Sequence, residues 1–128
     1  MSYYFNTKVE GVTFDETIEK VTEELQKEGF GVLTEIDVKA TLKKKLDVDF
    51  KNYRILGACN PTYAHKALQK EDKVGVMLPC NIVVEETDGV IEVSAVDPIA
   101  SMQGINNQEL GEIATEIRAK LQSVINNI

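Results

Sequence analysis

The chain has 128 residues, enough for one hydrophobic core that buries about two thirds of the surface exposed by the unfolded polypeptide. Twenty-one acidic residues against 14 basic ones leave a net charge of −7, so phosphate backbones repel the chain and nucleic acid is not an expected partner. No apolar run reaches the length of a bilayer span, the N-terminal Met1-Ser2-Tyr3-Tyr4-Phe5-Asn6 lacks both parts of a secretory signal, and two cysteines are too few for a disulfide scaffold. The expectation is a single domain over residues 1–128, cytoplasmic and without a membrane partner, in which Cys59 and Cys80 are thiols.

Tyr3 to Val9 alternates Tyr3, Phe5, Thr7 and Val9 with Tyr4, Asn6 and Lys8, the period of a strand. Thr13 and Glu16 then form a capping box, Phe14, Ile18, Val21 and Leu25 recur at helical spacing, and Gly29 supplies a left-handed stop. A second strand is predicted from Val32 to Ile36. Asp37 caps a short helix with the apolar row Val38, Leu42 and Leu46, beside which runs the polar row Asp37, Thr41 and Lys45. The basic stretch from Val38 to Arg54 reads as a solvated face rather than an anion site, and Lys45 is a second-rank site candidate.

Tyr53 to Cys59 reads as a third strand, and Asn60-Pro61 as a helix start with Asn60 as N-cap and Ala64, Ala67 and Leu68 as a small apolar face. Val74 to Leu78 is a buried-type run that Pro79 interrupts at a strand end or bulge. Ile82–Glu86 and Val90–Val96 make a hairpin around Thr87-Asp88-Gly89. After Asp97-Pro98 comes an irregular segment with Met102 and Gly104. Asn106 and Glu109 then cap the strongest helix of the chain, with Leu110, Ile113, Ala114, Ile117, Leu121, Val124, Ile125 and Ile128 on one face. Long helices early and late, with mostly consecutive strands between them, predict an α+β fold with helices packed on a mainly antiparallel sheet.

Two corners of similar composition stand out, Ala58-Cys59-Asn60-Pro61 and Leu78-Pro79-Cys80-Asn81. Each places a thiol and a carboxamide where a strand ends or breaks, and Cys59 also precedes a helix N-terminus. Cys59, Asn60, Cys80, Asn81 and Asp97 are therefore the candidate ligand or metal residues, with His65, the only histidine, in second rank beside Lys45. His65 falls among Lys66 and Lys70 on what reads as an outer helix face. An enzyme would use Cys59 or Cys80 as nucleophile, His65 or Asp97 as base, and Asn60 or Asn81 as oxyanion donor. No glycine-rich phosphate loop, nucleophile elbow or zinc-protease motif is present, and no cofactor is specified.

Asp37-Val38-Lys39-Ala40-Thr41-Leu42-Lys43-Lys44-Lys45, Ile55-Leu56-Gly57-Ala58-Cys59-Asn60-Pro61 with Ala64 and Leu68, Gly75-Val76-Met77-Leu78-Pro79-Cys80-Asn81 and Asp97-Pro98 together resemble the signature of domain of unknown function family 302. The resemblance spans nearly the whole chain and implies a TATA-binding-protein-like layered α+β fold and a homodimer. It brings no established activity. The reading that results is a small binding module taking a small molecule or metal ion, or reacting through thiols, around Cys59 and Cys80. The alternatives are a cysteine-dependent enzyme or a purely structural dimer.

Overall fold

The computed structural model describes residues 2–128, and Met1 lies outside them. Five strands, β1 (Tyr4–Val9), β2 (Gly31–Asp37), β3 (Tyr53–Cys59), β4 (Cys80–Thr87) and β5 (Val90–Val96), form one sheet in the order β1-β5-β4-β3-β2. Every neighbouring pair is antiparallel. The helices are α1 (Phe14–Lys27), α2 (Val38–Leu46), α3 (Pro61–Lys70), the single-turn α4 (Pro98–Ser101) and α5 (Glu109–Asn126). The protein is thus an α+β fold with a fully antiparallel sheet, and no described helix is long and apolar enough to cross a membrane.

The core lies between one face of the sheet and the helices. Strand alternation sends Leu56 and Ala58, Ile82 and Val84, and Ile91, Val93 and Ala95 to that face, where they meet Val21 and Leu25 of α1 and Ile117, Leu121 and Val124 of α5. Local chemistry fixes the ends of α1. Thr13 and Glu16 make the reciprocal capping box. At the other end Gly29 takes φ +86°, while the Phe30 and Gly29 amides donate to the Leu25 and Gln26 carbonyls, a Schellman ending. The β4–β5 turn places Asp88 and Gly89 at φ +52° and +80°, the two positive values that a tight hairpin requires.

Four local expectations need correction. Val74–Leu78 is not strand-like: Asp72–Met77 forms a 3₁₀ turn that buries Val74 and leaves Val76 exposed, and β4 starts directly after the cis Leu78–Pro79 bond. The apolar composition there mimicked a strand because one anchor residue, and not a row, is buried. Helix α5 is entered one residue later than expected, since Asn107, not Asn106, accepts the Glu109 amide while its Nδ2 donates to the Lys70 carbonyl. That second bond ties the end of α3 to the start of α5. Leu68 is exposed and Ala67 carries the burial of α3. The row Val38, Leu42 and Leu46 contains no buried residue, because α2 only bridges β2 to β3 beside the sheet.

The opposite face of the sheet carries no helix across its centre. Tyr4, Asn6, Tyr53, Val83, Ser94 and Val96 line an open groove of about 360 Å³ there. Glu85 and Glu92 stand directly opposite one another across β4 and β5, a repulsive pairing. Each is offset by a lysine, Lys51 at 2.7 Å from Glu85 and Lys8 at 3.8 Å from Glu92.

Candidate functional site

Strand β3 ends at Cys59 and β4 begins at Cys80, and the register sets Ala58 opposite Cys80 and Gly57 opposite Asn81. The two corners singled out in the sequence are therefore neighbours. Together they border a cavity of about 240 Å³ whose inner wall is Ala64 and Ala67 of α3, Ile117 of α5, Phe30 and Met102. Leu33, Leu78 and Pro79 complete it. Asn60 is the one side chain of this lining that carries nitrogen or oxygen.

Cys80 is only 6% exposed, and its thiol is pushed up to about 11, chiefly by burial and secondarily by the nearby Cys59. At neutral pH Cys80 is a neutral, hydrophobic thiol. Cys59 is half-buried.

Asn60 occupies the N-cap position of α3 yet makes no capping hydrogen bond, against expectation. Its Nδ2 donates instead to the Glu28 carbonyl, at 3.2 Å. The reason lies in Gly29: a Cβ there would come within 3.1 Å of Asn60 Nδ2, so the absent side chain leaves room for the carboxamide to reach the last carbonyls of α1. Asn60, 9% exposed, braces the α1–β2 turn against the start of α3.

The remaining candidates lie elsewhere. Asn81 points to the helix-free face and lines the open groove. Asp97 accepts the Ile99 amide at 3.0 Å and Arg118 Nε at 3.2 Å, so it caps α4 and anchors α5, while Arg118 also stacks 5.0 Å over Phe5. His65 and Lys45 are exposed and border neither cavity nor groove. No base from this list therefore reaches the thiols. Among the described residues, no three His, Cys, Asp or Glu side chains gather as a metal cluster. Sequence reasoning missed Phe30, Leu33, Met102 and Ile117. Their only signal is apolar character, and it takes the fold to bring residues so far apart in the chain to one wall.

Gly57 shows how tightly β3 is packed beside the site. A Cβ on it would lie inside van der Waals contact of Thr34 Oγ1 and 2.7 Å from Pro79 Cγ. Thr34 reaches this position because β2 carries a bulge: Val32 faces Ala58 and Thr34 faces Gly57, with Leu33 as the extra residue.

No curated protein matches the chain. Among solved structures, the crystal structure of an uncharacterized conserved protein DUF302 from Bacillus stearothermophilus superposes with a TM-score of 0.92, at 32% identity, over 99% of this chain and 98% of that one. The family model described as domain of unknown function DUF302 matches residues 5–128, and the chain belongs to that family.

Proposed function

We propose that the protein is a small-ligand binding module whose site is the cavity between α3, α5 and the adjoining ends of β3 and β4. The observation that carries this reading is that Cys59, Cys80 and the buried Asn60 all border an otherwise apolar hollow. Binding sites have this constitution, a mostly apolar wall with a few polar groups that fix orientation. At about 240 Å³ the hollow suits a fragment-sized guest and not a nucleotide or coenzyme. With a protonated Cys80 and no base beside the thiols, binding is favoured over nucleophilic catalysis.

The experiment is a screen of small apolar fragments by chemical-shift changes. Hits should move resonances of Ala64, Met102 and Ile117. They should vanish in Ala64→Phe, which fills the hollow from a half-buried position while the remaining spectrum keeps its dispersion. Fragments that bind equally well to Ala64→Phe would remove the cavity from consideration.

The helix-free sheet face supports a second reading, association of two copies. Ile36, Leu46, Val48 and Phe50 are exposed near its β2–β3 side, and Tyr3 and Tyr4 near the other, more apolar surface than scattered exposure requires. Light scattering should give the mass of a dimer, and Val83→Asp, in the middle of this face, should return a monomer with an unchanged circular dichroism spectrum. A wild-type mass of a single chain would dismiss the dimer.

A further inference from the structure

Only half of the Asn60 carboxamide is engaged by the protein. Its Nδ2 donates to the Glu28 carbonyl at 3.2 Å, and that bond also fixes which end of the amide is which, because a carbonyl oxygen accepts only from the nitrogen. Oδ1, the stronger acceptor, is left over: none of the described residues donates to it. Among the described residues no side-chain nitrogen or oxygen is sealed from solvent without a partner, so Oδ1 keeps an opening. With Asn60 9% exposed and bordering the cavity, the cavity is that opening.

We infer that the cavity binds a small, uncharged aromatic molecule carrying one N–H or O–H donor, of the phenol or indole class, with the donor held on Asn60 Oδ1. The inference rests on the reading of the cavity as the ligand site and names the class of its ligand.

Three properties of the wall select the body of the guest. No charged side chain borders the cavity, so a carboxylate or ammonium group would leave water without a counter-charge. The volume of about 240 Å³ exceeds the ~150 Å³ that houses a benzene ring and suits one or two rings. Phe30 and Met102, both buried, border the space, and an aromatic guest gains ring–ring and sulfur–ring contacts there that an aliphatic one lacks.

The leftover acceptor selects the head group. A guest without a donor strips solvent from Oδ1 and leaves it unpaired, whereas a hydroxyl or ring N–H restores the lost hydrogen bond. An ether or ester would set oxygen against oxygen. Water competes poorly for this position, since it meets one side-chain partner in the cavity where a well-held buried water makes about three hydrogen bonds.

The test is a chemical-shift titration of the full chain with two isosteric pairs, phenol against toluene and indole against indene. In each pair the donor-bearing member should bind about tenfold more tightly, and it should move the Asn60 side-chain amide signals together with those of Ala64, Met102 and Ile117. A cavity with no acceptor on offer gives the opposite order, because the hydroxyl or N–H then leaves water without a partner. Asn60→Leu keeps the branched shape, removes Oδ1 and should reverse the order within both pairs. Melting curves show whether this variant keeps its fold; where it does not, the ranking on the parent protein decides alone. Toluene and indene binding as tightly as their partners, or an unchanged order in folded Asn60→Leu, would overturn the assignment and leave the cavity reading standing. No shift at the cavity with any of the four probes would overturn both.

Discussion

Gly57→Ala is expected to lower the unfolding free energy by about 3 kcal/mol, the upper end of what overpacking a rigid interior costs. The residue lies in the middle of β3, between two other strands, and its missing side chain is replaced by Thr34 from one side and Pro79 from the other. Neither neighbour is the free end of a flexible chain: Thr34 is β-branched within a strand, and Pro79 is a ring. The strain therefore cannot be relieved by a rotamer change alone. Urea denaturation gives the measurement, with Gly75→Ala as the control, since a Cβ at Gly75 meets nothing within 4 Å. Adding Thr34→Ala to Gly57→Ala should restore part of the loss, and the two changes should be strongly non-additive. A Gly57→Ala protein within about 0.5 kcal/mol of the parent would mean that the packing over β3 is looser than described.

The second large effect is a division between the two thiols. Moving the Cys80 thiol from an ordinary 9.0 to about 11 reduces its thiolate fraction at pH 8 by about a hundredfold. Its burial slows a reagent further. Iodoacetamide at pH 8 should consequently modify Cys59 alone, and peptide mapping should find Cys80 labelled only after denaturant is added. Equal rates at both positions would contradict the sealed environment of Cys80. The same displacement has a thermodynamic side. The folded state holds the Cys80 proton more tightly than the unfolded chain does, so its contribution to stability is complete below pH 9 and is withdrawn as pH climbs from 9 toward 11.

Much of this molecule was legible in its sequence because the informative signals are local. Thr13 with Glu16, Gly29, Asp37, Pro61 and Asp88-Gly89 each answer a stereochemical demand within a few residues, and the structure places each where that demand arises. Adjacency of the two Cys-Asn corners was posed by the sequence as a question and is answered by strand register. Local logic failed where a distant group intervenes. Asn60 stands at a cap position but is drawn off by the Glu28 carbonyl, and Asp97, which reads as a site carboxylate, is occupied by Arg118 from α5. Asn81 differs from Cys80 by one residue, and strand alternation alone sends it to the other face. Met102 and Ile117 carry no mark that separates a cavity wall from ordinary core.

The single extra residue in β2 sets the frame of everything that follows it. Strand geometry counts in twos, and Leu33 changes the parity. With it, Glu35 lies on the helix side within 2.7 Å of Arg54, and Ile36 meets Ile55 on the bare side. Pair the same residues from Val32 without the bulge and those assignments exchange: Ile36 would turn beneath α1, Glu35 and Arg54 would part, and Thr34 would leave Gly57 uncovered. Length is thus information in this strand: a chain of the same length paired without the bulge would have to write its whole edge in the opposite phase, whereas one shorter by this single residue would keep the phase and lose only the bend.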